Sequence, residues 1–287
     1  MKRILVTGAN GFVGKKLIRQ LNLSGNYQVF SHDIDVGDIS RDKFKYSNIN
    51  HVFHLAAKTF VPDSWENPYA FYQTNIMGTV NILEFCRKNN IDVTVMSSYV
   101  YGVPEKLPVT ENDLIKSYNP YGHTKAIAED ICSFYNEKFK VNITIFRPFN
   151  IYGPAQSDKF LIPHIIKQFL DPNNKFIEVK DLKPKRDYVY IDDVIQALLK
   201  SINKKGFSIY NLGSGSSYSV EEIILYVKEL SQINKTYVSL NSERQNEVMD
   251  LVADISKIEN ELGWSPEVTI KDGLKRTIEK SITSKKN

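Results

Sequence analysis

Tyr121 and Lys125 are the pair whose types and spacing most directly suggest chemistry. Of the 16 tyrosines only Tyr121 has a lysine four positions on, and on a helix that interval puts both side chains on one face. A phenol ordinarily ionises near pH ~10, too high for a base at neutral pH, and a neighbouring ammonium favours the phenolate. The segment Ser97-Ser98-Tyr99-Val100-Tyr101-Gly102 closes an apolar run with hydroxyls, one of which can hold a substrate oxygen in line. Hydride transfer at a carbinol carbon needs a proton moved on its oxygen, and these three residue types supply that. Tyr121 is therefore expected as the acid/base, Lys125 as its pKa tuner and ribose anchor, and Ser97 as the group that positions oxygen. The plainer alternative is a surface tyrosine packed on a lysine stem.

A second cluster opens the chain. Thr7-Gly8-Ala9-Asn10-Gly11-Phe12-Val13-Gly14 follows the apolar residues Ile4, Leu5 and Val6 and leads into a helical pattern. A buried strand that turns on glycines into a helix N-terminus brings free N–H groups and the helix dipole up to a pyrophosphate. Gly8, Gly11 and Gly14 are spaced one residue wider than the usual dinucleotide fingerprint. Asp33 ends the next apolar run about 20 residues on, where a carboxylate can bind a ribose 2′-hydroxyl. A simple tight turn would show the same glycines without that acid.

These groups need a scaffold. Strand-like runs at 4–7, 27–32, 51–55, 93–97 and 142–146 alternate with helical patterns at 11–23, 68–88, 120–138 and 163–170. Such alternation predicts an α/β doubly wound parallel sheet, with ligands at the carboxyl ends of its strands. Farther on, 171–174 reads as a turn and 186–191 as a strand, with Asp192 capping a helix to 199. A strand at 208–212 and helices at 219–230, 254–262 and 270–281 complete the pattern. Residues 1–152 are expected to form the dinucleotide domain, with returning segments near 187–213. Residues 153–287 are expected to form mainly a smaller, interwoven substrate domain.

A chain of 287 residues can bury a large core, and its net charge of +4 is small and scattered, which argues against nucleic acid as partner. Cys86 and Cys132 lack metal-like spacing and sit in apolar helical patterns, as buried free thiols of a reducing compartment do. No signal segment precedes the first strand and no apolar run is long enough to span a bilayer, so a cytoplasmic protein away from membranes is expected.

Several motifs in order make the chain resemble an extended short-chain dehydrogenase/reductase of the NAD-dependent epimerase/dehydratase family. They are the glycine turn, His54-Leu55-Ala56-Ala57, Asn75-Ile76-Met77-Gly78-Thr79, Ser97 to Gly102, Tyr121-Gly122-His123-Thr124-Lys125, Arg147-Pro148-Phe149-Asn150-Ile151-Tyr152-Gly153-Pro154, Arg186-Asp187-Tyr188-Val189 and Asn211-Leu212-Gly213-Ser214-Gly215. The resemblance implies a Rossmann-type sheet, a nucleotide-diphosphate sugar as substrate and a nicotinamide cofactor. It implies cofactor contacts at Gly8, Asn10, Gly11, Phe12, Val13, Gly14, Asp33, Asp38, Ile39, Leu55, Ala56, Ala57, Asn75, Tyr121, Lys125 and Pro148, with Asp38 near the adenine amine. It implies substrate contacts at Thr59, Ser98, Tyr99 and Asn150, with Arg186 on the diphosphate and Arg244 with Glu247 on phosphate and ribose. It also implies a homodimer through two helices per subunit. His54 reads as structural, His123 as a helix-surface residue, and Trp65 and Trp264 as packing anchors.

Two departures matter. The family's 4,6-dehydratases resemble Thr-Asp-Glu where this chain has Ser97-Ser98-Tyr99, and without that acid and base a dehydratase is disfavoured. The third-place tyrosine is similar to the Thr-Asp-Tyr of deoxysugar 4-ketoreductases, with Ser98 in place of aspartate. Moreover, the segment after Asp33 is too short for a crossover helix. Acidic residues there favour NAD, while Arg41 leaves NADP open. The sequence thus ranks reduction of a nucleotide-linked 4-keto-hexose first and 4-epimerisation with tightly held NAD second. A dinucleotide-binding regulator without turnover comes last, because such relatives lose the tyrosine or lysine.

Overall fold

The computed structural model of the chain describes residues 1–32, 39–41, 43–241 and 248–286, with side chains as far as 283. Strands and helices alternate as β1 (Lys2–Thr7), α1 (Phe12–Leu23), β2 (Tyr27–His32), β3 (His51–His54), α2 (Val61–Glu66), α3 (Pro68–Phe71), α4 (Gly78–Asn89), β4 (Asp92–Met96), α5 (Pro120–Phe139) and β5 (Ile143–Pro148). The second half runs β6 (Asn150–Tyr152), α6 (Leu161–Leu170), β7 (Phe176–Val179), β8 (Lys185–Tyr190), α7 (Ile191–Ser201), β9 (Phe207–Leu212), β10 (Ser217–Ser219), α8 (Val220–Ser231), β11 (Thr236–Ser239), α9 (Ser256–Leu262) and α10 (Ile270–Lys286).

The large sheet has the order β2-β1-β3-β4-β5-β9, and every neighbouring pair in it is parallel. Its strands are covered on both faces, which is why they read as apolar runs. In β1, Ile4 and Val6 join Leu17 and Leu21 of α1 in one core, whereas Leu5 joins Ile82 and Leu83 of α4 in the other. A small sheet, β10-β8-β6, and a two-stranded pair, β11-β7, make up the rest.

Some local expectations are corrected. The pattern at 68–88 is not one α-helix, because a π-helical turn at Tyr72–Met77 separates α3 from α4. Asp192 does not cap α7; Tyr190 holds that position, and Asp192 lies in the first turn, 2.6 Å from the Lys16 ammonium. Residues 150–152 pair with β8 in the small sheet, while β9 returns from the second half to the large one. Trp65 is no packing anchor, being 63% exposed, whereas Trp264 is 2% exposed and donates to the Asp193 carbonyl. Between β2 and β3 the described residues hold only a short 3-10 turn at Ile39–Arg41, as the brevity of that segment suggests. Cys86 and Cys132 are buried and free, and burial pushes both thiols up. Among the described residues no helix is long and apolar enough to cross a membrane.

Candidate active site

The glycine turn sits where β1 ends. Gly8 has a φ of +68°, and a Cβ on it would lie 2.7 Å from the Ala56 nitrogen. At Gly14 a Cβ would lie 2.2 Å from the Gly8 carbonyl oxygen. The turn is therefore closed down on itself and on the loop after β3. Helix α1 begins at Gly11 with no side-chain cap, which leaves its first N–H groups for an anion. Asn10 and Gly11 are exposed, Phe12 and Val13 half-buried, and Leu55, Ala56 and Ala57 line the neighbouring strand end. This cradle, which side chains would fill, fits a dinucleotide pyrophosphate.

Around it, several expected residues are committed to the protein. Asn75 lies in the π-turn; its Oδ1 accepts from the Lys58 N–H at 2.9 Å, and its Nδ2 donates to the Lys58 carbonyl and to Thr124 Oγ1. It ties the loop after β3 to α5. Ile39 is buried under Gly78, where a Cβ would meet Ile39 Cγ2 at 2.4 Å. Pro148 is buried at the end of β5. Asp33 and Asp38 lie outside the described residues, as do Arg244 and Glu247.

His54 is structural, as read from sequence. Its Nδ1 meets Thr7 Oγ1 at 2.9 Å and its Nε2 meets Thr79 Oγ1 at 3.2 Å. Burial, aided by the Lys125 charge, holds it neutral with a pKa lowered to about 3. His123 is exposed on α5 and bonds Tyr72.

Helix α5 carries the centre of the site. Asn119 caps it by accepting from the Gly122 N–H at 2.8 Å, and Pro120 occupies its first turn. Started there, the helix turns Tyr121, Lys125 and Glu129 onto one face, against the end of β4. Tyr121 shares a hydrogen bond with Ser98, and the Phe71 ring stands edge-on to its own ring at 6.4 Å. Lys125, buried, donates to the Met96 carbonyl at 2.8 Å. Ser97 donates its hydroxyl to Glu129 Oε1 at 2.5 Å. The hydroxyl that faces the tyrosine is thus Ser98, and the expectation for Ser97 is corrected: its oxygen turns away into a buried ion pair.

The electrostatics differ from the simple expectation too. Burial pushes the Tyr121 phenol up to about 12, with the Ser98 hydrogen bond pulling the other way. The Lys125 ammonium serves the Met96 carbonyl, and burial pushes its pKa down to about 8, opposed by the Glu129 carboxylate. Tyr121 therefore rests in its acid form beside a lysine that is charged at neutral pH.

A cleft of about 350 Å³ lies beside Phe71, lined by Lys58, Thr59, Phe60, Asp63, Glu66 and Asn67 among others, with Thr59 itself exposed. Tyr99 is half-buried, packed on Phe149 and Tyr101, and donates its hydroxyl to the Gly102 carbonyl. Asn150 Nδ2 donates to the Asp187 carbonyl at 3.1 Å. Arg186 Nη1 donates to the carbonyls of Lys185 and Val248. Asp187 beside it is fully buried and accepts from the Ser214 N–H and hydroxyl and from the N–H groups of Gly215 and Ala253. The role of Glu129 escaped the sequence reading, although its position four residues after Lys125 on the same face was a visible signal.

Comparison with known proteins agrees with this geometry. The family described as GDP-mannose 4,6 dehydratase matches residues 19–277. A putative UDP-glucose 4-epimerase of Methanocaldococcus jannaschii is 34% identical over 300 residues, covering 96% of this chain and 97% of that one. A GDP-6-deoxy-D-mannose reductase of Pseudomonas aeruginosa is 29% identical, covering 96% of this chain and 95% of the other. The crystal structure of the UDP-glucuronic acid 4-epimerase from Bacillus cereus, in complex with UDP-glucuronic acid and NAD, superimposes with a TM-score of 0.89 at 28% identity, covering 98% of this chain and 99% of that one.

Proposed function

The chain belongs to the GDP-mannose 4,6-dehydratase family of extended short-chain dehydrogenases/reductases, and from that premise we propose that it is a nicotinamide-dependent enzyme that moves hydride at the 4-position of a nucleotide-diphosphate hexose. The observation that carries this reading is the stripe of Tyr121 and Lys125 on α5, closed against Ser98 at the carboxyl end of β4. A nicotinamide dinucleotide bound at the glycine cradle supplies a reversible hydride acceptor. The chain itself does the proton work. Tyr121 exchanges a proton with the sugar oxygen, Ser98 aligns that oxygen, and Lys125 holds a positive charge beside the pair and anchors the ribose. Thr59, Tyr99 and Asn150 face the sugar, and Arg186, Arg244 and Glu247 take the diphosphate and nucleoside.

Epimerisation at C4 is the first reading, supported by the 34% identity to a putative UDP-glucose 4-epimerase along nearly the whole chain. This reverses the order that the sequence alone suggested. Reduction of a 4-keto sugar is the second reading; Tyr121 resting as the acid suits delivery of a proton to a keto oxygen, and Tyr99 replaces a carboxylate. The same absence of an acidic residue across 97–99 speaks against dehydration, despite the family's description. Residues 1–152 with β9 then hold the cofactor, and 153–287 mainly the sugar nucleotide. A cytoplasmic homodimer through α4 and α5 completes the proposal; Phe134 and Phe139 of α5 are exposed on that side. Absorbance at the NADH band during turnover decides between the two reactions. An epimerase shows no net consumption, a ketoreductase consumes reduced cofactor stoichiometrically, and no reaction with any sugar nucleotide while dinucleotide still binds overturns both.

A further inference from the structure

Residues 121, 125 and 129 of α5 each grip a different point of one short segment. Tyr121 meets the Ser98 hydroxyl, Lys125 the Met96 carbonyl, and Glu129 the Ser97 hydroxyl. Only the last of these contacts is anchored from behind. Glu129 is 5% exposed, and Arg147 of β5, 2% exposed, holds it through Nε at 3.0 Å to Oε2 and through Nη2 at 2.6 Å. The other face of the guanidinium is equally fixed. Arg147 Nη1 donates to the Tyr101 hydroxyl at 2.8 Å and to the Glu111 carbonyl. Tyr101 in turn donates to Asn211 Oδ1 on β9 at 2.5 Å, and Asn211 Nδ2 donates to the Val109 carbonyl. A buried ion pair whose every hydrogen-bonding position is taken has little freedom, and breaking it from one side leaves an uncompensated charge.

We propose that Glu129 is a positioning residue of this site: it locks the end of β4 against α5 and sets a fixed negative charge beside Lys125, so that the lysine keeps its ammonium form and its place. The proposal rests on the reading of Tyr121 and Lys125 as the proton-transfer pair. The charged and titratable groups facing Lys125 are Glu129 and Cys132 on its own helix and His54 from β3, with Arg147 of β5 behind Glu129. Of these, Glu129 is the carboxylate. His54 is held neutral by burial, and the Cys132 thiol is kept protonated by burial.

The test reads Lys125 directly, by side-chain amine NMR titration of the full-length protein without substrate. E129Q moves the Lys125 titration to lower pH by about one unit or more, the size expected when a carboxylate within reach of an ammonium is removed. The double variant E129Q/R147M removes both charges, leaves none unpaired, and gives the same shift if E129Q alone fails to fold. Y101F loosens the same cluster but keeps the charge, and leaves the titration in place. In turnover assays the alkaline limb of the kcat profile shifts with the titration in E129Q, while KM for the sugar nucleotide holds. An unmoved titration in the Glu129 variants overturns the proposal, as does an equal shift in Y101F. Because the titration needs no substrate, absence of sugar-nucleotide turnover in the wild type refutes the functional reading without touching this result.

Discussion

The two halves of the site hold their residues in different ways. On the β4–α5 side, Tyr121, Lys125 and Glu129 are set against a strand end, and Lys125 and Glu129 are buried. On the side formed by the small sheet, Asn150 and Arg186 are half-buried and spend their donors on backbone carbonyls of Asp187, Lys185 and Val248. The first side is organised before any ligand arrives. The second must exchange backbone partners for ligand oxygens, so its binding energy is partly offset by contacts given up. Substitutions on the first side should therefore act on kcat, and those on the second on KM.

The sharpest break of that contrast is Tyr121→Phe. Turnover falls by about 10²–10⁴-fold while dinucleotide affinity, read by fluorescence titration, stays near wild type. A wild-type rate removes Tyr121 from proton transfer. Next comes the pair of neighbouring serines. Ser98→Ala lowers kcat by about 10²-fold, whereas Ser97→Ala costs less than about tenfold, because its hydroxyl serves Glu129 and not Tyr121. The opposite ranking restores Ser97 as the group on the substrate oxygen.

Arg186→Ala should raise KM for the sugar nucleotide by about tenfold, the loss expected for one charge-assisted hydrogen bond, and leave kcat and the dinucleotide Kd nearly unchanged. A drop in kcat alone would mean that the small-sheet side is as preorganised as α5. The smallest effect concerns stability. His54 has a pKa of about 3 when folded, well below its unfolded value, so it refuses a proton that the unfolded chain accepts. Its contribution is fully present above pH ~6.5 and is lost as pH falls toward ~3. In His54→Gln, proton uptake on unfolding at pH 5, from the pH slope of denaturant titrations, falls by about one proton. An unchanged slope shows that His54 titrates normally.

Much of the fold was legible because its signals are local. The apolar runs of β1, β3, β4 and β5 reflect burial on both faces of a parallel sheet, and the glycine turn shows in residue type alone. The short pieces were not legible. Strands β6, β7, β10 and β11 have three or four residues each, too few for a periodicity to show. The π-turn before α4 keeps the composition of a helix and changes only the hydrogen-bond partner.

Within the site the division is as clear. Spacing by fours fixed Tyr121, Lys125 and Glu129 on one helix face, because 3.6 residues per turn leaves no other arrangement. Which of two adjacent serines meets the tyrosine depended on where β4 stops. That stop is set by pairing with β5, 50 residues away in the case of the Asp92–Asn142 side-chain bond, and by the ion pair behind Ser97. Residue order determined the stripe; packing between distant segments decided what it touches.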